Sequence, residues 1–233
     1  MSTLTKIIAL LLILSAALAE LFHLFPTIDL WIARHLFETE RGYFPWQNTP
    51  LGEFIDTDLR KILAGVMILF VLDAVRSWLG KRTLLGFSKR GYLFILLSIV
   101  LSAGLLANVL LKDHSGRARP KDLSEFGGKA IYTAPLTLAD QCRKNCSTVA
   151  GDAAFAFNAL ALALLARRRR PLWIAVATGV GLAAATARVM QGKHFFTDAT
   201  FASLFTVLVV LVLYAWMING REPEPNDASP PPP

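Results

Sequence analysis

A histidine, an aspartate and an arginine stand close together in the sequence near its C-terminal end. His194 and Asp198 are four residues apart, and Arg188 precedes His194 by six. On a continuous helix that spacing points Arg188 and His194 to different faces, so we predict that the helix breaks near Gly192 and restarts before His194. A carboxylate one helical turn after a histidine can accept the ring Nδ1–H, which leaves Nε2 available as a nucleophile. The guanidinium of Arg188 is permanently charged and suits phosphate oxygens. Together the three residues predict phosphoryl transfer to His194, whereas the structural alternative is three ordinary residues at the end of a helix.

Three basic side chains and a histidine occupy the segment from Lys112 to Pro120. Lys112 and Arg119 are suited to binding an anion, and His114 can donate or accept a proton. The structural alternative is a set of cationic side chains that snorkel at a membrane border. In the functional interpretation, Lys112 and Arg119 join Arg188 around one phosphate group.

Gly151 and Asp152 stand at the predicted start of a helix. Backbone N–H groups at a helix start can bind phosphate, and a residue without a side chain lets the phosphate approach closely. Asp152 has two interpretations there. It either complements the helix dipole or donates a proton to a group leaving the phosphate.

The composition identifies the elements that must position these residues. Hydrophobic residues make up 54% of the 233 residues and charged residues only 18%, against about 25% charged residues in soluble domains. The apolar runs are long enough to cross a bilayer, which takes about 20 helical residues. The sequence therefore predicts an all-α fold, a polytopic membrane helical bundle with about six transmembrane helices. The predicted spans are Leu4–Phe25, Leu59–Leu79, Tyr92–Leu111, Ala153–Ala166 with a few residues upstream, Pro171–Met190 and Ala199–Ile218.

The first predicted span has an alternative interpretation as a secretory signal. Ala17-Leu18-Ala19 is typical of a cleavage site, and cleavage would follow Ala19. Cleavage there would leave five spans without moving the candidate site to the other face of the membrane.

The net charge of +7 is unevenly distributed and indicates topology rather than nucleic-acid binding. Basic residues crowd two connections, 76–90 and 167–170, which the positive-inside rule assigns to the cytoplasm together with both termini. The opposite connections, about 26–58, 112–152 and 191–198, contain every candidate site residue. The site is therefore expected to face the periplasm or the exterior. Cations on that side run against the usual bias, and this departure favours an anion-binding role for them.

The chain is expected to form one membrane-embedded domain, residues 1–220, followed by a disordered, Pro-rich cytoplasmic tail, 221–233. Within the domain, residues 26–58 combine prolines with aromatic side chains, which is typical of an interfacial segment on the periplasmic face. Residues 112–152 form the predicted active-site loop.

Two cysteines, Cys142 and Cys146, lie in this loop on the expected oxidising side of the membrane. A disulfide between them is favoured over two free thiols. A zinc site is disfavoured because no third ligand stands nearby in the sequence. No metal site and no cofactor are predicted.

The sequence resembles the type 2 phosphatidic acid phosphatase family, which comprises membrane lipid phosphatases and related haloperoxidases. Two of the three family motifs match at their charged positions with identical spacing. In the first, Lys112 is followed after six residues by Arg119-Pro120; in the third, Arg188 is followed by His194 and Asp198. The resemblance covers nearly the whole chain short of the tail.

The second family motif is altered in this chain. Val149-Ala150-Gly151-Asp152 stands where the family has Pro-Ser-Gly-His, and Ala187 replaces the usual Ser before Arg188. The family histidine protonates the leaving group, so the resemblance implies this role for Asp152 or for His114. An aspartate among three cations is drawn toward its ionised form, which makes it a poorer acid.

The resemblance implies a mechanism that needs no metal. The basic residues and the Gly151 backbone would bind the phosphate and stabilise the transition-state charge. His194 would attack phosphorus to give a phosphohistidine, and Asp198 would stabilise the resulting imidazolium. Water would then release inorganic phosphate.

These features predict a phosphatase of the bacterial inner membrane that acts on a phosphorylated lipid. The resemblance to bacterial members with a cysteine-bearing loop before the second motif implies lipid A, a polyprenyl diphosphate or a glycerophospholipid phosphate as the substrate, and we favour lipid A among the three. Two alternatives remain open: a lipid phosphotransferase that uses the same phosphohistidine, and a non-catalytic relative that binds phospholipid. No nucleic acid and no obligate protein partner are implied.

Overall fold

The computed structural model describes residues 2–105, 115–144 and 146–219. Within these ranges the chain forms helices, with isolated β-bridges and no β-strand. The predicted all-α membrane bundle is therefore confirmed. The predictions for Lys112, His114 and the tail 221–233 concern residues outside the described ranges.

The helices begin and end close to the predicted spans. Ser2 caps the first helix and Ser88 caps the fifth, because each hydroxyl accepts a backbone N–H from the first turn. The helix bounds are α1 Thr3–Leu24, α2 Ile28–Leu36, α3 Pro50–Glu53, α4 Leu59–Trp78, α5 Lys89–Ile99, α6 Gly151–Phe157, α7 Ala159–Leu165, α8 Arg170–Met190 and α9 Phe196–Met217.

Helix α9 lies at the centre of the bundle. It packs against α1, α5, α6, α7 and α8, and ten of its residues are buried. Among the described helices, α1, α8 and α9 are each long and apolar enough to cross a membrane. Helix α5 continues as a π-helical stretch over residues 100–105, so the described part of the third predicted span includes a local change of helix type.

The fourth predicted span is two short helices rather than one. At Asn158 the backbone N–H bonds to the carbonyl of Phe155, and the side-chain amide donates to the carbonyl of Ala154 at 2.9 Å. The same amide also donates to the Ser102 hydroxyl at 2.9 Å. These bonds replace the regular helical pattern, so α6 ends at Phe157 and α7 begins at Ala159.

Helix α8 approaches α6 closely because one residue lacks a side chain. A Cβ atom at Gly181 would lie 2.5 Å from the ring of Phe157. Small residues at such a crossing let helix backbones come together in membrane proteins. This contact fixes the spacing between α8, which carries Arg188, and α6, which carries Asp152.

An apolar cavity of about 630 Å³ lies between α4 and α8. Its walls are aliphatic and aromatic side chains of α4, α5, α6, α7 and α8. One end of the cavity is polar, where Arg60, Asp152 and Arg188 line it.

The predicted interfacial segment contains two short helices, α2 and α3. Thr49 caps α3 by accepting the Gly52 N–H at 3.1 Å, and Pro50 occupies its first turn. A π-helical turn, Phe54–Asp58, joins α3 to α4. Such turns occur often at functional sites, and this one directs Asp56 toward the end of α8.

Candidate active site

The segment between α8 and α9 brings Arg188 and His194 together. Helix α8 ends at Met190, and Gly192 has φ +62°, in the left-handed region that glycine adopts without strain. A Cβ atom there would also lie 2.2 Å from the ring of Phe44. The carbonyl of Arg188 accepts the N–H groups of Lys193 and His194 at 3.1 and 3.3 Å. The predicted break near Gly192 is therefore correct.

The predicted restart of the helix before His194 is wrong. Helix α9 begins at Phe196, so His194 precedes it and does not belong to its first turn. The reason is local, because the Asp198 carboxylate accepts the Phe195 N–H at 2.9 Å and thereby caps the helix.

His194 and Asp198 are neighbours without the direct hydrogen bond that the spacing predicts. The His194 Nδ1 atom lies 2.8 Å from the Ser147 carbonyl oxygen and 3.7 Å from Asp198 Oδ2. A carbonyl can only accept, so Nδ1 carries the proton and the lone pair of the neutral ring is on Nε2. The tautomer is the one predicted, but its nearest acceptor is a backbone carbonyl.

Ser147 connects the two residues. Its hydroxyl donates to Asp198 Oδ2 at 2.6 Å, while its own N–H donates to the Arg117 carbonyl at 2.9 Å. Asp198 Oδ2 is thus engaged by Ser147 and Phe195, which explains its longer distance from His194. The sequence offered no signal for this role, because any residue has a carbonyl group.

A disulfide joins Cys142 to Cys146, with a Cα–Cα distance of 5.7 Å. This spacing is ordinary for a disulfide. Cys146 is fully buried and directly precedes Ser147. The bond therefore restrains the loop that supplies the acceptor for His194.

Arg117 is the main residue that sequence reasoning did not single out. Its guanidinium is buried, with Nη1 2.6 Å from Asp198 Oδ1 and Nη2 2.7 Å from Asp29 Oδ2. In the sequence it was one of three basic residues in its segment, and nothing in the spacing separated it from Arg119. We call these three residues the Asp29–Arg117–Asp198 cluster.

Arg188 is buried and tied to three neighbours. Its Nε lies 2.8 Å from Asp152 Oδ2, and its Nη1 lies 2.5 Å from Asp56 Oδ1 and 2.7 Å from Gln191 Oε1. These contacts fix the plane of the guanidinium. Neither Asp56 nor Gln191 was predicted, because neither stands near the motifs in a recognisable pattern.

Asp152 forms ion pairs with two guanidinium groups through the same oxygen, and Arg60 also donates a hydrogen bond to it. Arg60 Nη2 lies 2.8 Å from Oδ2, the atom that Arg188 also contacts. Two such partners stabilise the ionised carboxylate. This geometry favours an electrostatic, arginine-orienting role for Asp152 over proton donation.

Asp56 is held between Arg188 and Lys193. Burial alone would raise the pKa of this carboxyl, but the hydrogen bonds from Lys193 and Arg188 outweigh it and lower the pKa below its usual value. Asp56 is therefore ionised at neutral pH, when it supplies negative charge beside the predicted anion-binding arginine.

Five of the predicted site residues within the described ranges line one cavity of about 840 Å³, whereas Asp198 does not line it. Burial lowers the pKa of the Arg119 guanidinium, and the charge of Arg188 adds to the effect. Bringing an anion into such a group of cations would relieve their repulsion. The cavity is lined by Gly151 and by the polar side chains of Arg60, Arg119, Asp152, Arg188, Lys193 and His194. Among the described residues, no group of three His, Cys, Asp or Glu is arranged to hold a metal ion.

Comparison with known proteins identifies relatives over most of the chain. It is 32% identical over 205 residues to the lipid A 4'-phosphatase of Francisella tularensis subsp. novicida (strain U112), covering 86% of this chain and 91% of that protein. It is 26% identical over 212 residues to the lipid A 4'-phosphatase of Rhizobium leguminosarum, covering 85% of this chain and 91% of the relative. No solved structure matches the chain. Residues 91–222 match the PAP2 superfamily, which confirms the predicted resemblance, and the chain belongs to this superfamily.

Proposed function

We propose that this protein is a membrane phosphatase that hydrolyses a lipid phosphate through a phosphohistidine at His194. The observation that carries the proposal is the meeting of His194, Arg119 and Arg188 around one cavity that adjoins an apolar one. The two cavities share Arg60, Asp152 and Arg188 at their junction. A molecule with a phosphate beside an alkyl chain matches this pairing of charge and apolar surface.

We infer that the preferred substrate is the phosphate of lipid A. The relatives named above are lipid A 4'-phosphatases, and each is covered over most of its length. The apolar cavity between α4 and α8 would receive part of an acyl chain. Polyprenyl diphosphates and glycerophospholipid phosphates have the same general form and are the competing substrates.

The geometry supports a two-step mechanism. His194 Nε2 attacks phosphorus, the bond from phosphorus to the lipid oxygen breaks, and the ring becomes a phosphorylated imidazolium. Arg119, Arg188 and the Gly151 backbone stabilise the charge that grows on the phosphoryl oxygens. Water then attacks the phosphohistidine and releases inorganic phosphate.

The leaving lipid oxygen needs a proton in the first step. The sequence leaves Asp152 and His114 as donors. Because Arg60 and Arg188 hold the Asp152 carboxylate in its ionised form, we assign the proton to His114. Asp152 then acts by orienting Arg188.

We expect purified protein in detergent to release phosphate from lipid A in the presence of a chelator. Lipid A, a polyprenyl diphosphate and phosphatidic acid would be assayed in parallel as labelled substrates. Free labelled phosphate from one of them supports hydrolysis. Label recovered in a second lipid would indicate phosphotransfer instead. Tight binding of a labelled lipid with no turnover on any substrate would contradict the enzyme assignment.

We also propose that the site faces the periplasm, in the inner membrane of a bacterium. The support is the basic composition of the connections 76–90 and 167–170, because short cytoplasmic loops carry an excess of lysine and arginine. After mild reduction of intact cells, an impermeant thiol reagent applied once the outer membrane is permeable should label Cys142, which is partly exposed.

A variant that carries its cysteine at position 84 provides the matched control. Leu84 is 81% exposed and lies in the predicted cytoplasmic connection. With Cys142 and Cys146 replaced by serine, the Leu84→Cys variant should be labelled only after the inner membrane is opened. The site would face the cytoplasm if Cys142 were labelled only after the inner membrane is opened and the Leu84→Cys variant were labelled while that membrane is intact.

A further inference from the structure

The Asp29–Arg117–Asp198 cluster contains charged side chains that the mechanism above does not use. Asp29, Arg117 and Asp198 are each 1% exposed. They come from α2, from the loop before Pro120 and from α9, so three separate parts of the chain meet there. Burying charges is costly unless they are paired and hydrogen-bonded. The cost of burying these charges therefore suggests that the cluster holds other residues of the site in place.

Arg117 is fixed on every side by the described residues around it. Besides the two carboxylates, its Nε donates to the Thr133 carbonyl at 3.1 Å and its Nη1 to the Thr197 hydroxyl at 3.3 Å. Its Cζ lies 4.1 Å from the ring centroid of Phe195, within cation–π distance. The guanidinium cannot turn without breaking several of these contacts.

Asp29 is the counterpart of Asp198 on the other side of the guanidinium. It accepts from Arg117, from the Thr197 N–H at 3.0 Å and from the Thr197 hydroxyl. Thr197 lies next to Asp198 at the start of α9. Asp29 thus anchors both the arginine that contacts Asp198 and the helix turn that carries it.

The sharing of Arg117 has an electrostatic consequence for His194. A guanidinium paired with Asp198 alone would neutralise that carboxylate. Because Asp29 takes part of the positive charge, Asp198 keeps negative charge toward the imidazole, whose Nδ1 lies 3.7 Å away. That charge is needed most when phosphorylation makes the imidazole cationic.

We propose that Asp29 and Arg117 are positioning residues that hold Asp198, and through it His194, in the arrangement that forms the phosphohistidine. The inference rests on the proposed function of His194. Neither residue lines the phosphate cavity. Their loss should therefore slow the chemical step without weakening the binding of phosphate.

The test is the Asp29→Asn variant of the full-length protein. We expect kcat to fall by about ten- to a hundredfold, by analogy with the loss that follows removal of the hydrogen-bonded partners of metal-ligating side chains. The inhibition constant for inorganic phosphate should stay within about twofold of the parent, because Arg119 and Arg188 are untouched. Equal kcat in variant and parent would overturn the proposal.

The matched control is Asp73→Asn, at the other end of the bundle. Asp73 is 2% exposed and accepts from the Leu84 and Leu85 N–H groups and from the Tyr92 hydroxyl. The Asp73→Asn substitution should lower Tm and leave kcat of the folded protein unchanged. A loss of kcat in this control as large as in Asp29→Asn would mean that both variants act only through stability.

A milder variant covers the case in which Asp29→Asn does not fold. Thr197→Val removes the hydroxyl between Arg117 and Asp29 and keeps the shape of the side chain. It should lower kcat by a smaller factor with the same unchanged inhibition by phosphate, and parent-like kcat would overturn the proposal. Absence of turnover in the parent on every lipid phosphate would instead contradict the proposed function itself.

Discussion

Replacing His194 by alanine is expected to abolish phosphate release, with a loss of more than about 10³-fold in kcat. The alanine removes the atom that attacks phosphorus, and no described side chain beside it in the cavity offers a second imidazole. Binding of the lipid should persist, because Arg119 and Arg188 remain. The measurement is turnover of a labelled lipid phosphate, together with trapping of labelled protein at alkaline pH.

His35→Ala is the matched control for this variant. His35 lies on α2 with its side chain exposed, and its Nδ1 contacts the Trp31 carbonyl at 2.7 Å. It should leave both turnover and protein labelling at the level of the parent. Turnover by His194→Ala equal to that of the parent would contradict the assignment of His194 as the nucleophile.

The Arg188→Lys variant is expected to lose about 10²–10³ in kcat, the usual effect of removing one donor that stabilises a transition state. A lysine keeps the charge but presents a single point instead of a planar fork. A lysine ammonium group cannot contact Asp56, Asp152 and the phosphate at the same time. Inhibition by inorganic phosphate should weaken as well, which separates this variant from Asp29→Asn.

A second arginine on the same helix provides the comparison. Arg170 lies at the other end of α8, with its Cζ 5.0 Å from the ring centroid of Tyr214. Arg170→Lys should change neither kcat nor inhibition by phosphate. If Arg188→Lys also retained parent-like values for both, Arg188 would have no part in binding the phosphate.

The parts of the site that could be predicted from the sequence depend on short-range spacing. Arg188, Gly192 and His194 belong to one short segment, so a single helix break brings them together. The apolar runs likewise located α1, α4, α8 and α9 within a few residues, because burial in lipid requires long continuous stretches. Local rules were sufficient for both.

The missing residues form contacts between distant parts of the chain. Asp29 is 88 residues from Arg117 in the sequence, and Asp56 is 132 from Arg188. No periodicity in the sequence connects the members of such pairs. Asp29 and Asp56, each taken alone, are ordinary acidic residues near a membrane surface. The role of Ser147 was equally hidden, because its carbonyl, not its side chain, meets His194.

The apolar cavity between α4 and α8 has a consequence for the kinetics of the proposed reaction. It is lined by apolar side chains of the helices α4 to α8, so a lipid substrate held there and its dephosphorylated product would both stay in the bilayer. The rate then depends on the mole fraction of substrate in the membrane rather than on its molarity in the assay. Inorganic phosphate is the one product that dissolves in water, and its departure makes the reaction directional.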